Sequence, residues 1–226
     1  MTLRIGHRGA KGYEPENTAA SFLKALALGA DMIELDVRLT RDKKLVVVHD
    51  SFLRRLAKTN KRVRSLTEKE IKKLRIFGKR KIPSLDDVLD LAKGKTKVNI
   101  ELKGRGTAAA AAETLNLRLE GGRSMPDDLL VSSFNWIELA IFHKLLPKIR
   151  VGLLLAGLPF GYAGIGKKLN AYSVHFNFRF TTRHSVTAAH RRKFKIFVWT
   201  VNKPQDIERM KSWGVDGIMS DYPDRI

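Results

Sequence analysis

The chain has 226 residues, room for one large domain or two small ones, and its 43% apolar content supports a proper core. It contains no cysteine, which excludes a disulfide framework and a thiolate metal site, and no apolar run reaches the length of a membrane span. The formal net charge of +20 points to an anionic partner: a phosphate substrate, a lipid surface or nucleic acid. With no secretory leader pattern after Met1, the protein reads as cytoplasmic.

In chain order, "LRIGH" (3–7) reads as a strand. "NTAASFLKALALG" reads as a helix capped by Asn17 or Thr18, with Phe22, Ala25 and Leu26 as its inner stripe and Gly29 as its stop. "MIELDVRL" (32–39) alternates: Ile33, Leu35 and Val37 on one face, Glu34, Asp36 and Arg38 on the other. Only Arg41 to Lys44 separate it from "LVVVH" (45–49), too few for a parallel crossover, so that segment is expected to return antiparallel. Pairing Thr40 with Leu45 then sets Asp36 opposite His49.

Residues 53–81 carry 13 Lys and Arg against 2 Glu, more than half of the charge excess. Thr67 with Glu70 and Ser84 with Asp87 resemble capping boxes that open two helices. Further strands are expected at 97–103, 129–134, 150–155, 172–176, 195–201 and 216–219. Helices are expected over the Ala-rich 107–120, from Asn135 to Pro147, and from Pro204 to Gly214. "GLPFGYAGIGKKLN" (157–170) reads as a long loop. Within it "GYAGIGKK" falls short of a phosphate-binding loop, because Lys168 stands where a hydroxyl is needed. Leu158, Phe160, Tyr162 and Ile165 beside Lys167 and Lys168 suggest a tip able to touch an acyl chain or an anionic bilayer.

Leaving out 45–49, eight strands alternate with mostly helical segments, several of them nearly all apolar. This pattern predicts an α/β fold, a TIM (β/α)8 barrel, with a doubly wound sheet as the alternative. Such a barrel gathers its chemistry at the C-terminal strand ends. There the chain places His7 and Arg8, Glu34 and Asp36, Glu101 and Lys103, with His49 brought in by the return segment. Three carboxylates in a partly dry pocket call for a hard divalent ion, Mg²⁺ or Ca²⁺. Arg8 and Lys103 suit phosphate oxygens, and two histidines suit a base and an acid at neutral pH.

These residues carry a family likeness. "HRGAKGYEPENTAASFLKALALGADMIELDVRLTRDKKLVVVHD" resembles the signature of the glycerophosphodiester phosphodiesterases, and the likeness continues through "SLTEKEIKKL", "IPSLDDVLDL", "NIELK", "VSSFN" and "VWTVN" to "GVDGIMSDYPD". The resemblance implies one barrel over residues 1–226 with a small insertion after the second strand, at about 50–83. It implies His7 and His49 as the general acid–base pair and Glu34, Asp36 and Glu101 as metal ligands. It also implies Arg8 and Lys103 as phosphate contacts, with Trp199 and Phe134 as aromatics near the glycerol end. The implied reaction cleaves a glycerophosphodiester to glycerol phosphate and an alcohol. A lysophospholipase D or sphingomyelinase D-like enzyme on the same barrel is the near alternative. A basic membrane- or nucleic-acid-binding protein with a vestigial barrel is the remote one, since a binding module needs no metal-and-histidine set; no nucleic-acid partner is expected.

Overall fold

The structure, a computed structural model, describes residues 1–158 and 161–226. Its strands are β1 (Leu3–Gly6), β2 (Met32–Leu39), β3 (Leu45–Val47), β4 (Lys97–Leu102), β5 (Leu129–Ser133), β6 (Arg150–Leu155), β7 (Ser173–Asn177), β8 (Lys195–Trp199) and β9 (Gly217–Ser220). Its helices are α1 (Ala19–Ala27), α2 (Arg54–Ala57), α3 (Glu68–Lys73), α4 (Leu85–Ala92), α5 (Thr107–Glu120), α6 (Trp136–Leu145), α7 (Tyr162–Lys168), α8 (Arg183–Arg191) and α9 (Pro204–Ser212). All strands but β3 pair in parallel in the order β1-β2-β4-β5-β6-β7-β8-β9, and β9 closes back on β1. The fold is a TIM barrel with one extra antiparallel strand. Among the described residues, no helix is long and apolar enough to cross a membrane.

The period of two in β2 sorts its side chains between two environments. Ile33, Leu35 and Val37 point outward into the layer of helices, where they pack with Phe22 and Ala25 of α1 and Val88 of α4. Met32 points inward, into a small plug with Ile5, Leu130, Phe197 and Met219 that fills the barrel's lower interior. Glu34 and Asp36 follow Met32 on the same inner face. In the β2–β4 register Asp36 lies beside Glu101, and Glu34 beside Asn99. The barrel's hydrogen bonding itself therefore sets two acidic residues side by side.

Helix boundaries follow local chemistry. Thr18 caps α1, and both expected capping boxes form: Thr67 and Glu70 exchange bonds at the head of α3, as do Ser84 and Asp87 at α4. Pro204 opens α9, and Gly214 follows it with φ 79°, a left-handed position that suits glycine.

Three expectations need correction. The hairpin register is Val37 to Val47, Arg38 to Val46 and Leu39 to Leu45, one residue off the expected pairing. The turn uses three residues rather than four. Lys43 adopts φ 61°, and Thr40 N–H bonds Lys44 C=O at 2.9 Å. Val48 N–H, not His49, bonds Asp36 C=O. The segment 157–170 is not all loop: it contains α7, whose Tyr162 packs edge-on against Phe176 and Phe194. Of the expected apolar tip, Leu158 is exposed, Tyr162 is buried, and Phe160 lies outside the described residues.

Between Val48 and Ser84 the chain forms α2, a 3-10 turn and α3 around a separate apolar cluster, with Leu53, Leu56, Val63, Ile71, Ile76 and Ile82 at its heart. The segment is stitched back to the barrel where Val47 N–H bonds Pro83 C=O at 2.8 Å. His49 sits where the chain leaves β3 for this segment.

Candidate active site

Immediately after β1 the backbone turns sharply. Arg8 has φ 52° and Gly9 φ 84°. A side chain at Gly9 would meet Ser21 Oγ at 2.5 Å, so only glycine passes here. Arg8, by contrast, holds a conformation costly for any residue with a Cβ, and its surroundings enforce it. Its N–H donates to Glu34 Oε2 at 2.9 Å and its C=O accepts from Ser21 Oγ at 2.9 Å. Its guanidinium then reaches Glu16 at 3.1 Å and Asp36 at 3.1 Å.

Glu34, Asp36 and Glu101 are buried, and each offers a carboxylate oxygen within 4.8 Å of the others. Burial, then the neighbouring Asp36 charge, pushes Glu101 up to about 7. Burial, with Asp36 and Glu101 close by, raises Glu34 well above the usual carboxylate range. Burial also opposes ionisation of Asp36, but Arg8, Lys103 and His49 outweigh it and hold that carboxyl below its ordinary value. Lys103 Nζ lies 2.7 Å from Glu101 and 3.6 Å from Asp36. Asn17 donates to Asp36 Oδ2 at 2.9 Å, while Asp36 Oδ1 is buried with no hydrogen-bond partner. An orphaned carboxylate oxygen inside an acidic trio fits a hard divalent cation and is costly without one.

Each histidine has one ring nitrogen tied to a carboxylate. His7 Nδ1 lies 2.7 Å from Asp221 Oδ1. Asp221 Oδ2 accepts from Asn202 Nδ2 at 2.9 Å, and Asn202 Oδ1 accepts from Asp221 N–H and Ser220 Oγ. His49 Nδ1 lies 2.9 Å from Asp50, which Arg55 grips at 2.8 Å while also reaching Glu16 at 2.6 Å. Burial depresses both imidazoles below their ordinary value, and the paired carboxylates offset it only in part. In both rings Nδ1 is engaged, which leaves Nε2 as the nitrogen available for proton exchange.

A pocket of ≈ 270 Å³ brings His7, Arg8, Glu34, His49, Glu101 and Lys103 together. Phe134, Leu154, Trp199 and Met219 form its other wall. Trp199 stands edge-on to Phe134 at 5.4 Å and donates its indole N–H to His175 C=O at 3.2 Å. Lys103 lies over the Phe134 ring at 5.6 Å. Of the residues singled out from sequence, only Asp36 does not line the pocket; it sits just beneath, as the hub of the charges around it. The pocket thus combines two cations, Arg8 and Lys103, with an acidic trio, two imidazoles and an aromatic wall.

The profile of the Glycerophosphoryl diester phosphodiesterase family matches residues 7–225. The chain belongs to this family. A glycerophosphodiester phosphodiesterase of Caldanaerobacter subterraneus subsp. tengcongensis is 37% identical over 236 residues, covering 100% of this chain and 96% of the relative. A lysophospholipase D of Rattus norvegicus is 24% identical over 269 residues, covering 100% of this chain and 85% of the relative. Among solved structures, an Oleispira antarctica phosphodiesterase in complex with the product sn-glycerol-3-phosphate superposes with a TM-score of 0.90 at 28% identity, covering 98% of this chain and 94% of that one. The chain is a glycerophosphodiester phosphodiesterase, a phosphoric diester hydrolase.

Several groups around this phosphodiesterase site escape a reading of the sequence. Asp221 and Asn202 lie in "SDYPD" and "VWTVN", and their places just past β9 and β8, at the barrel mouth, were the available signal. Asn17 reads as a helix cap but turns its amide to Asp36, leaving Thr18 to cap. Arg38 shares a face with the acidic pair, yet its guanidinium donates to the carbonyls of His49 at 2.6 Å and Lys103 at 3.3 Å. His175 is a different case: the sequence offers it, at the end of an expected strand, as a pocket-lining group, but it is fully buried inside the barrel against Ser173 Oγ at 2.8 Å and does not line the pocket, and burial pushes it down to about 3.

Proposed function

We propose that the enzyme hydrolyses glycerophosphodiesters to glycerol phosphate and an alcohol with a divalent metal, Mg²⁺ or Ca²⁺, held by Glu34, Asp36 and Glu101, and with His7 and His49 as its acid–base pair. The observation that carries this reading is Asp36 Oδ1, buried within the acidic trio with no hydrogen bond and with only Lys103 Nζ near it, at 3.6 Å, beside two imidazoles that each have Nδ1 tied to a carboxylate.

When bound, the cation supplies Lewis-acid stabilisation of charge on phosphate and on the attacking oxygen. Arg8 and Lys103 hold nonbridging phosphate oxygens and accept growing negative charge there. One histidine Nε2 takes the proton of the attacking hydroxyl while the other Nε2 protonates the leaving alcohol; attack by water gives glycerol phosphate directly, and attack by the glycerol 2-hydroxyl gives a cyclic phosphate that water then opens with the two histidines in exchanged roles. Asp221 and Asp50 keep both rings in the tautomer this exchange needs. Trp199 and Phe134 pack against the glycerol carbon skeleton.

A lysophospholipid is the second substrate reading. It is favoured by exposed Phe134 and Leu158 beyond the strand ends and by the likeness to a lysophospholipase D. An acyl chain, or the surface of an anionic bilayer, would lie on these side chains.

The test is incubation with glycerophosphocholine, glycerophosphoethanolamine, glycerophosphoglycerol and lysophosphatidylcholine, with and without EDTA, beside His7→Ala. Glycerol phosphate release that needs both metal and His7 is the expected result. Release unaffected by EDTA or by His7→Ala refutes the mechanism, and faster turnover of lysophosphatidylcholine selects the second substrate.

A further inference from the structure

Beside the catalytic pocket lies a second cleft of ≈ 770 Å³, formed by the β2–β3 turn, the loop after β4 and the 48–83 segment. Its lining includes Arg38, Arg41, Lys43, Arg62, Arg64, Lys103 and Arg105, and no carboxylate. Arg41 is paired with Glu70, and Lys103 with the acidic trio. Among the described residues, the other five have no carboxylate within ion-pair distance, although the chain holds 23 Asp and Glu. Arg38 still feels the charges of Asp36, Asp50 and Glu101, but Lys43, Arg62, Arg64 and Arg105 are four uncompensated cations around one concavity, which repel one another and focus a positive field that an anion relieves.

The cleft is not a detached surface patch. Lys103 lines both it and the catalytic pocket. Arg38 forms the partition, donating to the backbone carbonyls of both His49 and Lys103. Arg62 is stacked over the exposed Phe52 ring at 4.7 Å, which steadies its guanidinium at the cleft wall. The pocket's opposite wall is apolar and aromatic, so the two ends of a bound diester meet different surroundings. The cleft meets the pocket at Lys103, across from the aromatic wall of Phe134 and Trp199.

We propose that this cleft is a second phosphate site, which selects glycerophosphodiesters whose leaving alcohol itself carries a phosphate. Arg62, Arg64 and Arg105 are its specificity-determining residues. Guanidinium groups match phosphate oxygens in geometry as well as charge, and three of them converge here from two separate chain segments. The inference rests on the phosphodiesterase reading above. A terminal phosphomonoester and the next diester of a glycerol phosphate chain present the same anionic oxygens, so both belong to the class.

The experiment compares kcat/KM for three compounds: glycerophosphoglycerol, the same compound phosphorylated on its terminal hydroxyl, and glycerophosphoglycerol extended by a second glycerophosphate unit. Wild type and Arg62→Gln/Arg64→Gln/Arg105→Gln are assayed side by side. Wild type is expected to favour one or both compounds that carry a second phosphate by about tenfold or more, the size of one charge-assisted hydrogen bond to phosphate. The preference shrinks with added salt, because the cleft is open to solvent. In the triple variant it falls towards one, while glycerophosphoglycerol is cleaved as before. A wild-type ratio near one, or a ratio the triple variant leaves unchanged, overturns the proposal. Cleavage of none of the three refutes the underlying phosphodiesterase mechanism instead. Calorimetric titration of the terminally phosphorylated compound into His7→Ala protein, with and without the triple change, then decides the cleft alone. At least tenfold weaker binding supports it, and equal binding overturns it. If the triple change abolishes binding of a single-stranded oligodeoxynucleotide but leaves the substrate ratio intact, the cleft is a nucleic-acid site and the proposal fails.

Discussion

Replacing Asp221 by Asn removes one charge and changes no shape, and the surrounding hydrogen bonds dictate the outcome. Asn202 Oδ1 accepts from both the Asp221 N–H and Ser220 Oγ, so its Nδ2 must point as a donor at residue 221. An asparagine at 221 therefore turns its carbonyl to Asn202 and its NH₂ to His7 Nδ1. That nitrogen, now an acceptor, forces the proton onto Nε2. Such a ring cannot take a proton from an attacking hydroxyl. Nor can it become the imidazolium that an acid must be, since Nδ1–H would then oppose the amide N–H. Losing a charge-assisted hydrogen bond costs about 1.5–3 kcal/mol, and setting donor against donor costs a similar amount again. The sum of about 3–6 kcal/mol predicts a fall in kcat of two to four decades, with KM little changed. The assay is steady-state glycerophosphocholine hydrolysis across pH at saturating Mg²⁺, with circular dichroism to confirm the fold. A kcat within about threefold of wild type would show that the Asp221–His7 contact is not part of the acid–base machinery.

Three further outcomes follow from the same charges. Glu101 is pushed up to about 7 and Glu34 is raised as well, both chiefly by burial. Uptake of Mg²⁺ by metal-free protein at about pH 6.5 therefore releases on the order of one to two protons, and affinity climbs as pH rises through neutrality; calorimetry in two buffers of different ionisation enthalpy reads this, and a pH-independent affinity contradicts it. His175 titrates at about 3 when folded against an ordinary 6.5. In the window between these values the unfolded chain binds the extra proton, so stability falls as pH drops, by about 1.4 kcal/mol per unit, and urea titrations of His175→Gln should show a shallower acid limb. Arg118 is fully buried and pairs with Asp86 at 2.8 Å and Asp90 at 2.6 Å, both half-exposed. Because these carboxylates can rehydrate, Arg118→Met costs only about 1–2 kcal/mol in urea unfolding, and a loss above about 3 kcal/mol would mean that they stay dry.

Much of the site was legible because it obeys periodicity. Glu34, Asp36 and Glu101 declare themselves by standing on the polar face of otherwise apolar strands, and the barrel's parallel register does the rest. What escaped depends on contacts that periodicity does not encode. Asp221 meets His7 across 214 positions, only because β9 closes on β1. The hairpin register slipped by one because Lys43 takes a left-handed conformation that its side chain does not advertise. Helix α7 hides in a glycine-rich stretch. Its Gly166 is needed where a side chain would come within 2.7 Å of the Phe194 ring, so packing rather than propensity makes the helix.

Lys103 has a consequence beyond the phosphate contact proposed for it. Its ammonium, 2.7 Å from Glu101 and 3.6 Å from Asp36, is a tethered counter-ion that the chain carries to its own acidic centre. With Arg8 it lets the barrel close around three carboxylates before any cation arrives. On the metal reading proposed above, folding and metal loading are then separate events, and chelation is expected to silence the enzyme without dismantling it.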